Sequence, residues 1–149
     1  MNKIKLKIKK IKENAITPKY EHEGDAGMDF FSTEKYILKP GERVLVSTGI
    51  QMEFPHGFEL QIRPRSGLAL KKGISIVNTP GTIDAGYRGE LGIILINHGK
   101  EDFEINPGDK IAQGVLNKIE FADVEEVSDL SESQRGEGGF GSSGFSNKV

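Results

Sequence analysis

The sequence predicts an all-β fold, an antiparallel sandwich or barrel with at most one short helix, and three observations carry that expectation. Apolar residues recur with a period of two, turn signals separate the apolar runs at regular spacing, and glycine and proline are abundant. The 19 glycines and 6 prolines are 25 of the 149 residues. A helical bundle does not tolerate that, because each interior Gly costs about 1 kcal/mol and each Pro about 3 kcal/mol.

The elements follow in chain order. Ile4, Leu6 and Ile8 share one face of an extended segment, with Lys3, Lys5, Lys7 and Lys9 on the other. A lysine face of this kind solvates a strand and discourages edge-to-edge pairing. Val44 and Val46, then Phe58, Leu60 and Ile62, then Leu91, Ile93 and Leu95 repeat the alternation, and Ile94 and Ile96 predict a last strand buried on both faces. Lys39-Pro40-Gly41, Phe54-Pro55-His56-Gly57, Thr79-Pro80-Gly81, Asn97-His98-Gly99 and Asn106-Pro107-Gly108 are the turns between them. Ser66 to Gly73 reads as one or two helical turns, with Ser66 as N-cap and Gly73 closing it. Gly108-Asp109-Lys110-Ile111-Ala112-Gln113 is a turn entering a strand, and Ile119 to Val127 reads as a further strand. Residues 1–128 form the β domain. Residues 129–149, rich in Ser, Glu, Gln and Gly, form a flexible C-terminal tail with too little apolar surface to order itself without a partner.

Composition excludes several function classes. With no cysteine there is no disulfide framework, thiolate metal site or cysteine nucleophile. A formal charge of −2 argues against a protein that grips a nucleic-acid backbone. The N-terminal lysines interrupt every apolar stretch a signal peptide would need, and no apolar run is long enough to span a membrane, so a cytoplasmic location is expected. His22, His56 and His98 have no metal-ligand spacing and read as loop residues.

Three motifs carry chemistry. Arg63-Pro64-Arg65-Ser66-Gly67 sets cations, a hydroxyl and free backbone N–H groups side by side, which is one way to hold a phosphate. Taken singly, it is equally a helix cap with a surface charge. Gly81-Thr82-Ile83-Asp84-Ala85-Gly86-Tyr87-Arg88-Gly89-Glu90 gathers Asp, Tyr and Arg about a glycine turn, where an Asp is commonly only a turn former. In the tail, Gly136-Glu137-Gly138-Gly139-Phe140-Gly141 matches the dinucleotide spacing G-x-G-x-x-G but does not lie between a strand and a helix, so that reading fails. Its consecutive glycines, with Ser142 and Ser143, still present donors to an anion.

Read in order, five segments resemble the homotrimeric dUTPase (deoxyuridine triphosphatase) family. They are Ala26-Gly27-Met28-Asp29-Phe30, Pro64-Arg65-Ser66-Gly67-Leu68, Asn78 with Gly81 through Glu90, Gly108 through Gln113, and Arg135 through Gly144. The resemblance covers residues 24 to 144. It implies a distorted antiparallel jelly-roll of the β-clip type, a homotrimer with shared active sites, and Mg²⁺-dependent hydrolysis of dUTP to dUMP and pyrophosphate. That activity limits uracil incorporation into DNA and supplies dUMP for thymidylate synthesis. No direct contact with nucleic acid or membrane is implied.

The resemblance also implies residue roles. Asp84 is the general base for water attacking the α-phosphorus. Arg65, Ser66, Gly67, Gln113 and Arg135 share the phosphate charge, with Gly141, Ser142 and Ser143 at the terminal phosphate. Mg²⁺ is held by phosphate oxygens and water, not by protein side chains. The main chain of Gly81, Thr82 and Ile83, assisted by Asn78, reads the uracil edge, Tyr87 packs beneath the deoxyribose, and Phe140 stacks on the base when the tail closes as a lid. Asp29 and Asp109 hold arginines and backbone in place. Two alternatives remain open at this point: a dCTP deaminase-like enzyme and a non-catalytic nucleotide-binding jelly-roll. Against the first stand Ile94, where those deaminases carry a glutamate, and the absence of Trp. Against the second stand Asp84, Arg65 and the glycine-rich tail, which a scaffold does not need.

Overall fold

The structure is a computed structural model that describes residues 3–146, so the last three residues of the sequence-predicted tail lie outside the described residues. Eleven strands and one short helix follow in order: β1 Lys7–Lys10, β2 Met28–Phe31, β3 Tyr36–Leu38, β4 Arg43–Ser47, β5 Ile50–Glu53, β6 Phe58–Arg63, α1 Ser66–Lys72, β7 Ile74–Ile76, β8 Gly81–Asp84, β9 Gly92–Asn97, β10 Phe103–Ile105 and β11 Lys110–Lys118. Every pairing is antiparallel. A four-stranded sheet in the order β2-β11-β6-β8 and a three-stranded sheet β4-β9-β7 enclose the core, and two-stranded sheets β1-β5 and β10-β3 complete the jelly-roll. Among the described residues, no helix is long and apolar enough to cross a membrane.

The period-two pattern turns into layers. Leu60 and Ile62 of β6, Phe30 of β2 and Ile111 of β11 point inward and meet Val46, Ile74, Ile76, Ile93 and Leu95 from the facing sheet. Ile94 and Ile96 are only half-buried in this chain, so β9 is buried fully on one face. Its last residue, Asn97, is fully buried, and its amide is satisfied on both sides. Nδ2 donates to Leu38 O and Glu101 O, each at 2.8 Å, and Oδ1 accepts from Gly99 N at 2.8 Å. The residue read as a turn former is therefore a core pin that fastens the β9–β10 connection to β3.

Three expectations need correction. Residues 119–127 are not a strand: β11 ends at Lys118, and apart from Ile119, whose N–H donates to Gly57 O at 2.9 Å, the segment is exposed. The exposed apolar residues Phe121, Val124, Val127 and Leu130 are spaced by three, which gives a single pleated strand no common apolar face. Ser66 is not the N-cap. Arg65 holds that position with extended backbone and no side-chain cap, and Ser66 is the first helical residue; Gly73 closes the helix in the left-handed conformation as expected. The lysine strand starts only at Lys7, with Leu6 and Ile8 packed on the core and Ile4 exposed.

Exposed ion pairs link Lys12 to Glu34, Lys7 to Glu53, Lys35 to Glu104 and Lys110 to Glu21. The lysine hydrogen bond holds each of these four carboxyls below its ordinary range. A carboxyl whose pKa is lowered by folding stabilises the fold at neutral pH, and that contribution is lost as pH falls through the lowered folded-state value. The thermal midpoint measured by calorimetry should therefore decline once pH drops below about 4.3, and only modestly, because exposed pairs are weak. A midpoint unchanged down to pH 3 would show that these pairs contribute nothing.

Candidate active site

A cleft of about 620 Å³, open to solvent, lies where β2, β11 and the start of α1 converge. Register explains its contents. Gln113 of β11 stands opposite both Asp29 of β2 and Arg63 of β6, so the segment Pro64–Gly67 leaves the sheet directly beside Asp29. Gln113 Nε2 donates to Pro64 O at 2.9 Å. Gly27 packs against its side chain, and a Cβ there would press on Gln113 and push its amide aside. Arg65, Ser66, Gly67, Gln113 and Asp29, all expected from the sequence, therefore share one cleft.

Asp29, only 8% exposed, is the cleft's electrostatic centre. Arg65 Nε approaches its Oδ1 at 3.2 Å and Lys110 Nζ its Oδ2 at 2.9 Å. Lys110 also donates to Glu21 Oε2 at 2.7 Å, and its hydrogen bonds to Glu21 and then to Asp29 raise its pKa above the ordinary lysine value. Asp109 acts differently from Asp29. Its Oδ2 accepts from Asn106 N at 2.8 Å and its carbonyl from Ser32 N at 3.0 Å, so it shapes the turn before β11 and holds backbone, not an arginine. Sequence reasoning did not single out Lys71, Lys72, Lys110, Glu21, His22 or Asp25, which also line the cleft. Apart from Lys110, which lies inside the Gly108–Gln113 segment, their spacing carries no motif, and only the fold brings them there.

A second group sits on β8 and the turn that carries the chain from it to β9 in the other sheet. Gly81, Thr82, Ile83 and Asp84 pair with Ile62, Gln61, Leu60 and Glu59 of β6. Tyr87 N donates to Asp84 O at 3.0 Å and Tyr87 Oη to Glu90 O at 2.9 Å. The tyrosine ring lies so close over Gly89 that a Cβ there would stand 2.3 Å from Oη. Glu90 roots the turn in the sheet, accepting from Gly49 N at 2.9 Å and from the Ser47 hydroxyl. Asp84 is exposed at the strand end, and Asn78 is exposed ahead of β8, near Gly81.

The tail forms a third group. Successive turns, with Gly138 N to Arg135 O at 3.1 Å and Ser142 N to Gly139 O at 3.0 Å, gather Arg135, Gly138, Ser142 and Ser143 around one hollow. Arg135 Nε donates to Gly138 O at 2.7 Å. Phe140 has a φ of 47° and is fully exposed, and Gly141 follows at 88°.

One chain does not bring the three groups together. Asp84 stands opposite Glu59, four residues from Arg63 along β6, which is about 13 Å at 3.3 Å per residue. The end of β8 at Asp84 and the phosphate-type cleft thus lie toward opposite ends of one strand, and no tail residue lines the cleft.

Comparison with known proteins finds similarity over nearly the whole chain. The sequence model of the dUTPase family matches residues 13–144. The deoxyuridine 5'-triphosphate nucleotidohydrolase of Clostridium tetani is 60% identical over 144 residues, which are 97% of this chain and 99% of that protein. Its counterpart from Clostridium acetobutylicum is 60% identical over 142 residues, 95% of this chain and 98% of that one. Among solved structures, the Staphylococcus bacteriophage 80alpha dUTPase with dUPNHPP superposes with a TM-score of 0.88 at 32% identity, covering 95% of this chain and 99% of that chain.

Proposed function

The chain belongs to the dUTPase family and hydrolyses dUTP to dUMP and pyrophosphate; on that premise we propose that Asp84 is the general base and that three subunits assemble each active site. The observation that supports the proposal is that Asp84 and the Arg65–Gln113 cleft lie toward opposite ends of β6, about 13 Å apart along the strand, with Asp84 outside the cleft lining.

In this reading the triphosphate, with close to four negative charges, occupies the cleft. Arg65, Ser66, Gly67 and Gln113 bind it there, while Arg135, Gly141, Ser142 and Ser143 arrive with the tail of another subunit at the terminal phosphate. The β8 segment of a further subunit supplies the nucleoside pocket. The main chain of Gly81, Thr82 and Ile83, with Asn78, pairs with the uracil edge, and close backbone approach leaves no room for the methyl of thymine. Tyr87, held over Gly89, packs under the deoxyribose and excludes a 2′-hydroxyl. A pocket of this polar kind rejects a wrong group by leaving its own donors unpaired. Phe140 stacks on the base, worth about 1–3 kcal/mol.

Asp84 takes a proton from the attacking water. The water oxygen bonds to the α-phosphorus as the bond to the bridging oxygen breaks, and pyrophosphate leaves with that electron pair. Phosphoryl transfer asks the protein chiefly for positioning and charge stabilisation, so one aimed carboxylate is enough.

Magnesium fits this surface as an ion carried by the substrate. Among the described residues no three His, Asp or Glu side chains converge as a ligand set, and Mg²⁺ keeps several waters and accepts phosphate oxygens. Bound in that way it neutralises phosphate charge and polarises the phosphoryl group. Support for the trimer also comes from the segment 119–130, whose Phe121, Val124, Val127 and Leu130 are exposed in the single chain although large apolar side chains are ordinarily covered. The tail, residues 129–149, then serves as the lid.

Pyrophosphate release with Mg²⁺, compared across dUTP, dTTP, dCTP and UTP, tests the specificity. Release is expected from dUTP alone. Equal release from dTTP or UTP would overturn the β8 segment's assignment, and ammonia from dCTP would overturn the reaction.

A further inference from the structure

Lys110 and Gln113 are three residues apart on β11, yet both line the cleft. In an unbroken strand, side chains three apart leave opposite faces. The ladder with β2 resolves the conflict: Lys110 pairs with Phe31 and Ala112 with Phe30, so Ile111 is one residue too many and the register shifts there. Ile111 and Ala112 are consequently both buried, although they are neighbours. Bulges beside active sites re-aim a side chain. This one turns the Lys110 ammonium onto the second oxygen of Asp29, whose first oxygen meets Arg65.

We propose that Lys110 is a positioning residue for Arg65: by occupying Asp29 Oδ2 it keeps Arg65 at Oδ1, which Nε approaches, and so keeps the terminal guanidinium nitrogens available to the triphosphate. The inference rests on the assignment of Arg65 to the phosphates. Its physical basis is the preference of a guanidinium for two parallel bonds to a carboxylate. With Lys110 gone, the nearly buried Asp29 offers both oxygens, and Arg65 swings its forked end onto them and away from the substrate. Lysine brings a compact cation on a flexible stem. Here the stem is held from two sides, by Asp29 and by Glu21, so the ammonium stays where the block is needed.

The test is steady-state kinetics of dUTP hydrolysis by the full-length protein. Lys110→Met should raise KM about tenfold while kcat stays within about threefold, the pattern of lost uniform binding. In an Arg65→Lys background, where no fork can form, adding Lys110→Met should change KM by less than about twofold. An unchanged KM in the single variant overturns the proposal. So does a full additional tenfold rise in the Arg65→Lys background, which would mean that Lys110 touches the substrate itself. Should Lys110→Met fail to fold, Lys110→Gln is read by the same two criteria. The wild-type protein in the same assay separates the two levels: no dUTP hydrolysis there sinks the functional reading, whereas normal wild-type hydrolysis with an unaffected KM in the variant sinks only the role of Lys110.

Discussion

Asp84→Asn retains the thermal midpoint of the parent protein and loses turnover by about 10²–10⁴-fold, the range a positioned base contributes. The substitution keeps volume and shape, and Asp84 is exposed at the end of β8, where its pairing with Glu59 is made by backbone. No buried partner is orphaned, so stability has little reason to change. The amide, however, cannot take a proton from water. Arg65, Ser66 and Gln113 are untouched, so dUTP binding persists and KM stays near its parent value. Turnover within about threefold of the parent would remove Asp84 from the chemistry, because a lost base of this kind does not cost so little.

The all-β fold was legible because a period of two and turns rich in glycine and proline are read residue by residue along a strand. Val46, Leu60, Ile62, Ile93 and Leu95 all reach the core on the faces that alternation assigns to them. What the pattern could not carry depends on partners. The exposed segment 119–127 has strand-forming residues but no neighbouring strand in its own chain, and β-propensity alone does not make a strand. Asn97 looked like a turn former because its three buried hydrogen bonds run to Leu38, Glu101 and Gly99, only the last two of which are close in sequence.

The candidate site divides in the same way. Residue types that meet phosphate or a base stand out in short motifs, so Arg65, Ser66, Gln113, Asp84 and the Arg135–Ser143 run could be named from sequence. Lys110 lies in one of those motifs, but its place in the cleft was hidden, because regular alternation puts it on the face opposite Gln113 and only the bulge at Ile111 brings it back. The distance between Asp84 and Arg65 was equally invisible. It follows from β6 pairing with β8 at one end and feeding the phosphate cleft at the other.

That separation leads to a prediction with an all-or-none contrast. Chains carrying Asp84→Asn and chains lacking residues 129–149 should each be nearly inactive alone, the first for want of a base and the second for want of Arg135, Phe140, Ser142 and Ser143. Unfolded together in equal amounts and refolded, they should regain about a quarter of wild-type turnover if each site draws its β8 segment from one subunit and its tail from another of a closed three-fold ring. The fraction follows from independent draws: half of all β8 segments are intact, half of all tails are intact, and a site needs one of each. If β8 segment and tail instead came from the same chain, every site would lack one or the other, and mixing would recover nothing. Mixing the two inactive proteins without unfolding gives the exchange control. Recovery that appears only after co-refolding, and approaches a quarter, requires a site that draws Asp84 and the tail from different chains; recovery at background level would mean that one chain supplies both, and would overturn the three-subunit site.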